Sequence, residues 1–242
     1  MADKSIGIIP ALLLAAGIAT AGFTIGEGAQ RFRVADRSVT VKGLAEKDVE
    51  SDYAVWRLSF RSAGDDFAEV QRKLASDRET VVARLKSLGF SDEELEVRPI
   101  LVEDRYAREY VSSDLPFRFS GQGQIVVKSA RVDAVERATN GVDPLIEAGV
   151  QLSTGYDGTL GGPNFQLRGF NDIKPVLLAE ATANAREQAE RFAADAGARL
   201  GRLRNANQGV IQVLDSEGNE HGASSTRSKR LRVVSTFVYD LQ

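Results

Sequence analysis

The sequence predicts an α+β fold of mostly antiparallel sheets with helices packed on them. Three observations carry that expectation. Runs of period-two hydrophobic alternation follow one another closely, which favours antiparallel pairing. Two long stretches with three- and four-residue apolar spacing separate these runs, and the pattern of the first half recurs in the second. Written out, the order is ββαββ, a linking helix, then ββαββ again, a structural duplication with little sequence identity. An uncharged opening segment adds an N-terminal transmembrane helix. The expected organisation is an anchor or signal segment over residues 1–27, a linker over 28–37 and an α+β domain over 38–242.

Each element has its own signal. Val39 and Val41 alternate with polar residues in SVTVKG, and Ala54, Trp56, Leu58 and Phe60 recur at period two with Arg57, Ser59 and Arg61 opposite. Joined through the polar EKDVESD segment, these two strands are expected to form a hairpin. The period changes at Asp65, read as an N-cap; Phe67, Val70, Leu74, Val81, Leu85 and Leu88 then form a helical stripe that Gly89 closes and Asp77 interrupts. Residues 95–105 read as extended, with Pro99 marking an edge or bulge. In the next strand Phe117, Phe119, Ile125 and Val127 share a face with Gly121 and Gly123, so something is expected to pack close to the backbone there; Arg118, Ser120, Gln122, Gln124 and Lys128 lie opposite. Val132 and Val135 open a helix that Asn140-Gly141 interrupts and Asp143-Pro144 restarts, with Asp143 as N-cap.

The closing third repeats the scheme. Val150, Leu152, Phe165 and Leu167 predict a hairpin around the turn GYDGTLGG. Asp172 is expected to cap a helix whose face is Ala181, Ala185, Ala189, Phe192, Ala196 and Leu200, small enough for close approach to a sheet. Leu88-Gly89 and Leu200-Gly201 end the two principal helices at matching places. Strands over residues 210–214 and 231–239 finish the chain.

Composition excludes several function classes. The chain carries 31 basic and 34 acidic residues, a formal charge of −3, with 43% hydrophobic and 27% charged types. Those values describe a folded chain with a sizeable core, not a basic nucleic-acid binder or a disordered acidic tail. The 22 residues 5–26 contain no charge. As a helix they would reach about 33 Å, enough for a hydrocarbon core of roughly 30 Å. Two readings stay open: an uncleaved anchor, or a signal peptide cut after Ala19-Thr20-Ala21. Apolar character continues to Ile25, beyond the roughly 7–15 residues of a signal core, which favours the anchor. Arg31, Arg33, Arg37 and Lys42 follow the span and only Lys4 precedes it, so the positive-inside rule taken literally points to a cytoplasmic domain.

The search for chemistry returns no catalytic, cofactor-binding or metal-ligating residue. There is no cysteine, and His221 is the only histidine, so thiolate sites and multi-histidine sites are excluded. His221, with Ser224 and Ser225 nearby in GNEHGASS, reads as a solvated loop residue. Gly121-Gln122-Gly123 lies inside a strand and is no dinucleotide fingerprint, and Gly155, Gly158, Gly161 and Gly162 lack the Lys-Ser/Thr of a phosphate loop. Asp92, Glu93, Glu94 and Glu96 read as a solvated turn. Arg227, Lys229, Arg230 and Arg232 in STRSKRLR read as charge protecting a strand edge.

The opening RSVTVKGLAE, the strand YAVWRLSF and the Ala-rich AEATANAREQAERFAADAGARLGRL followed by a strand together resemble the SIMPL-domain family. The resemblance covers roughly residues 37–241. Many members carry Pro-Asp between the first strands where this chain has Ser51-Asp52. The resemblance implies a non-enzymatic bacterial envelope protein, oligomeric, with a role in oxidative or envelope stress protection. It supplies no catalytic residue and no cofactor. The expected partners are the membrane, through the N-terminal helix, further copies of the chain, and an unknown protein or lipid; nucleic acid is not among them. The expected location is the inner membrane, single-pass, with the domain facing the periplasm, or the periplasm itself after signal cleavage. A binding module for a small apolar ligand or lipid, seated at Gly121, Gly123 and the Phe117/Phe119 face, is the alternative function.

Overall fold

A computed structural model describes residues 8–35, 37–107, 115–153, 161–220 and 222–242. The elements are α1 (Ile8–Ala35), β1 (Ser38–Glu50), β2 (Tyr53–Gly64), α2 (Phe67–Ser87), β3 (Leu95–Val97), β4 (Leu101–Asp104), β5 (Phe119–Ser129), α3 (Val132–Asn140), α4 (Asp143–Glu147), β6 (Asn164–Gln166), α5 (Phe170–Asp195), β7 (Leu200–Asn207), β8 (Ile211–Asp215) and β9 (Ser228–Leu241). One sheet has the order β1-β9-β7, with β8 also on β9; the other has the order β3-β5-β2-β6, with β4 also on β5. The class is α+β with antiparallel sheets and packed helices, as predicted. The chain divides into two compact units: one takes the chain up to Ala45 with Val176–Ile211 and Val233–Gln242, the other Glu46–Pro175 with Gln212–Arg232.

The larger unit is built on the β2–β5 pair, in register from Ala54↔Ser129 to Gly64↔Phe119. Alternation sends Trp56, Leu58, Phe60, Ile125 and Val127 to one face, where Val70, Leu74, Val81 and Leu85 of α2 and Val135 of α3 meet them. Asp66, not Asp65, caps α2: its carboxylate accepts the Glu69 N–H at 2.8 Å. Phe67 and Leu88, at the ends of the predicted stripe, are exposed. Asp77 is buried within it, paired with Lys73, whose ammonium also donates to the Gly149 carbonyl at 2.9 Å. The predicted interruption at Asn140-Gly141 separates α3 from α4, although Val142 occupies the N-cap and Asp143 the first helical turn.

The glycines of β5 do what their side of the strand foretold. A Cβ at Gly123 would sit 2.5 Å from Phe60 Cε2, and one at Gly121 would sit 2.6 Å from Leu74 Cδ1. On the core side of the strand the space beside Gly123 is filled by the Phe60 ring and that beside Gly121 by Leu74.

The smaller unit packs Ala185 and Ala189 of α5 against Val41, Phe237 and Tyr239. Small side chains let the helix come close, and Gly43 is the point of nearest approach: a Cβ there would clash with the Ala181 carbonyl and lie 2.8 Å from Ala185 Cβ. The buried stripe is Leu177, Ala181, Ala185, Ala189 and Ala193, so Phe192 and Ala196 fall outside it. At 3.6 residues per turn a four-residue step drifts by about 40° each time, so the buried stripe winds gradually around α5 instead of following the mixed spacing read from the sequence. Asp172 lies in the first turn of α5, behind its Phe170 start. The helix ends at Asp195 with Gly197 at φ +64°, and Leu200-Gly201 begin β7.

Two predicted hairpins do not form. β1 and β2 belong to different sheets, because the chain turns at Ser51-Asp52 and EKDVE continues β1. Phe165 and Leu152 each attach to β2, Phe165 opposite Ala54 and Leu152 opposite Phe60, instead of pairing with each other. A third strand, β7, follows α5, so the order is not two equal ββαββ units. Helix α1 continues to Ala35 through the segment expected as linker, which holds no proline and several good helix formers. Its described side chains, residues 13–26, are all exposed, including Leu13, Leu14, Ile18, Phe23 and Ile25. Among the described residues no helix is long and apolar enough to cross a membrane.

Adding a methyl at Gly123 overpacks the Phe60 ring, so Gly123→Ala should cost about 1–3 kcal/mol in urea unfolding. Combining it with Phe60→Leu should recover part of that loss, a favourable coupling in a double-mutant cycle. Strictly additive costs would show that the ring does not occupy the glycine's space.

Candidate functional site

The face of the β2–β5 sheet turned away from α2 carries the polar residues that alternate with the core. Ser59 stands opposite Gln124 and Arg61 opposite Gln122. On the other side of β5, Leu101 pairs with Gln122 and Glu103 with Ser120, while the Arg98 N–H donates to the Gln124 carbonyl at 3.0 Å. Two open clefts lie over this face. One, of about 270 Å³, is bounded by Ser59, Arg98, Pro99, Leu101, Gln122 and Gln124. The other, of about 640 Å³, is bounded by Arg61, Leu101, Glu103, Ser120, Gln122 and Ser153. Leu101 and Gln122 belong to both.

The side chains lining these clefts offer hydrogen-bonding groups and charge. Ser59 Oγ accepts from the Gln124 side-chain amide at 3.0 Å, and an amide takes no proton from a hydroxyl. Among the described residues no group of histidine, aspartate and glutamate could hold a metal ion. Alternation in YAVWRLSF marked Ser59 and Arg61 as the polar face of one strand, and alternation in FSGQGQIVV marked Gln122 and Gln124 as that of another; the β2–β5 pairing brings the two faces together. What the sequence hid is that Arg98 and Leu101, on either side of Pro99, join the same face.

The acidic turn is more than solvated charge. Glu94 accepts from Ser129 Oγ at 2.5 Å and from Arg131 Nη2 at 2.5 Å. The Arg131 guanidinium and the Ser129 hydroxyl hold the Glu94 carboxyl down at about 2, against the cost of its burial. Glu96 accepts from Lys128 and lies 2.6 Å from Arg98, and Lys128 first holds its carboxyl below the ordinary range. Asp92 meets Lys86 at 2.6 Å.

The basic stretch also departs from its prediction. β9 is an interior strand, so its charges do not guard an edge. Arg232, Arg230 and Arg227 face Glu46, Asp48 and Glu50 at 3.4, 2.7 and 3.0 Å, a ladder in which the two strands run in opposite senses. Arg230 keeps Asp48 ionised below its usual range. Arg227 also reaches Asp133 and Glu136. Lys229, between them, is buried, with its ammonium donating to the Ala223 and Thr226 carbonyls; desolvation pushes its pKa down. At the corner after β1, Ser51 donates both its N–H and its hydroxyl to the Arg227 carbonyl, at 3.0 and 2.8 Å. The Asp52 carboxylate accepts the N–H groups of Arg168 and Gly169 at 2.7 and 2.6 Å. Burial would raise its pKa, and these bonds outweigh that and lower it.

His221, Gly155 and Gly158 lie outside the described residues. Gly161 and Gly162 face open space, and the Gly161 carbonyl accepts from Trp56 Nε1 at 3.2 Å. Phe117 is exposed, and Phe119 meets Phe67 edge-on at 5.7 Å. A family model, SIMPL, described as "Protein of unknown function (DUF541)", matches residues 39–234. No curated protein matches the chain.

The Glu94 carboxyl has a folded-state pKa of about 2 against an ordinary 4.5, so its stabilisation is full above 4.5 and is lost as pH falls towards 2. Glu94→Gln should therefore lower stability at neutral pH by about 1.5–3 kcal/mol, the range of hydrogen bonds to charged groups. It should also flatten the acid limb of a denaturation series. Parallel acid limbs for both proteins would refute the assignment.

Proposed function

The chain belongs to the SIMPL family, and from that premise we propose that it is a non-enzymatic, membrane-tethered protein of the bacterial cell envelope that assembles with further copies of itself. The observation that carries the tether is α1. Its described side chains lie exposed on every side, with Leu13, Leu14, Ile18, Phe23 and Ile25 all more than 65% accessible, and no charge falls anywhere in residues 5–26. Apolar surface of that kind is unfavourable in water and is stabilised by lipid. Residues 8–26 of α1 are uncharged and close to the roughly 20 that a span requires, with Ala and Gly diluting their hydropathy.

Assembly is supported by the edges of the sheets. β7 has β9 as its one neighbour among the described residues and is exposed from Arg202 to Asn207, with Leu203 half accessible. An unpaired edge of this length is a template for a strand from another copy. The periplasmic side and the protective role in oxidative or envelope stress follow from the resemblance of the strands and the Ala-rich helix to bacterial members of the family.

Protease added to intact spheroplasts should digest the domain, and the chain should stay in the membrane fraction through an alkaline carbonate wash. Protection from the protease would place the domain on the cytoplasmic side, and release by the wash would remove the tether. In detergent, light scattering on the full chain should give particles holding more than one copy, and Leu203→Lys should reduce that number. A monomer at high concentration would remove assembly from the reading.

A further inference from the structure

We infer that the two clefts on the open face of the β2–β5 sheet form one binding site for an elongated small molecule with a carboxylate at each end and an uncharged middle. The clefts share Leu101 and Gln122, so they form one continuous trough across β4, β5 and β2. Its floor consists of two rungs, Ser59–Gln124–Arg98 and Arg61–Gln122–Leu101. Arg61 and Arg98 are therefore diagonal to one another. With strands about 4.8 Å apart and about 3.4 Å per residue, their backbones lie about 12 Å apart. Arg98 lies against Glu96 in the free chain; with both side chains turned into the trough, a molecule spanning them has acid groups about 8–10 Å apart, given the length of two Arg side chains.

Charge selects an anion. The protein as a whole is acidic at −3, yet this face presents Arg57, Arg61, Arg98 and Lys128 against Glu96 and Glu103. Glu96 is shared between Arg98 and Lys128, so one carboxylate serves two cations. Arg61 has no ion pair among the described residues, although it borders the larger cleft. A guanidinium with its fork open to a cleft is suited to bidentate recognition of a carboxylate. Between the two guanidiniums stand the amides of Gln122 and Gln124 and the hydroxyl of Ser59, neutral groups that hydrogen-bond either donors or acceptors. Leu101, 63% exposed beside them, offers apolar contact to an alkyl segment. An uncharged middle fits this lining, whereas a third acid group would face neutral amides.

Isothermal titration of the full chain in detergent with succinate, adipate and suberate tests the site, with octanoate as the single-charge control. Suberate is expected to bind more tightly than succinate or octanoate. Arg61→Gln and Arg98→Gln should each weaken suberate about fivefold, a modest loss because both groups are exposed. Arg137→Gln, on the exposed side of α3, should leave binding unchanged, and all three variants should keep the parent's thermal melting curve. Absence of saturable binding at millimolar suberate, equal affinity for octanoate, or affinity unaltered in both Arg61→Gln and Arg98→Gln would each overturn the inference. None of these results bears on the tether or on assembly.

Discussion

The register between β2 and β5 is the constraint on which the larger unit depends. Eleven consecutive residue pairs fix which side chains face α2 and which face the clefts. A slip of one residue would turn Trp56, Leu58 and Phe60 to solvent and bury Arg57, Ser59 and Arg61. Gly123 makes this register specific, because Phe60 needs a position without a side chain directly opposite. Core and recognition face are thus two sides of one decision. A shape fit between one ring and one glycine enforces both.

The smaller unit reaches its packing by a different route. Its helix contributes alanines where α2 contributes valines and leucines, so contact is won by nearness and not by bulk. Gly43 completes the approach by leaving room for the Ala181 carbonyl. Such an interface tolerates enlargement poorly, since backbone has to move where a side chain cannot. The Leu44 N–H, donating to Asn184 Oδ1 at 3.3 Å, adds a polar contact beside this dry seam.

Much of this was legible in the sequence. Period-two alternation found β2 and β5, the three-to-four spacing found α2, and Gly121 and Gly123 announced close packing. The errors fall where partners are distant. Glu46, Asp48 and Glu50 looked like a polar turn because their partners Arg232, Arg230 and Arg227 come almost two hundred residues later. The same separation made an interior strand look like an edge. Asp77 looked out of place in an apolar stripe until Lys73, one helical turn earlier, and the Gly149 carbonyl accounted for it. The cleft was half visible: Ser59, Arg61, Gln122 and Gln124 follow from alternation, whereas Arg98 and Leu101 arrive only through pairing on the far side of β5.

The corner at Ser51-Asp52 has a consequence for how such a bend is held. Ser51 directs two donors at one carbonyl, and Asp52 gathers two amides. A proline in place of Ser51 would remove both serine donors and put a ring of fixed φ in their stead. One arrangement secures the bend through bonding enthalpy in the folded chain; the other narrows the freedom of the unfolded chain. Heat weakens the first more than the second, so the two versions of this corner would differ in how they loosen with temperature more than in the path that the backbone takes.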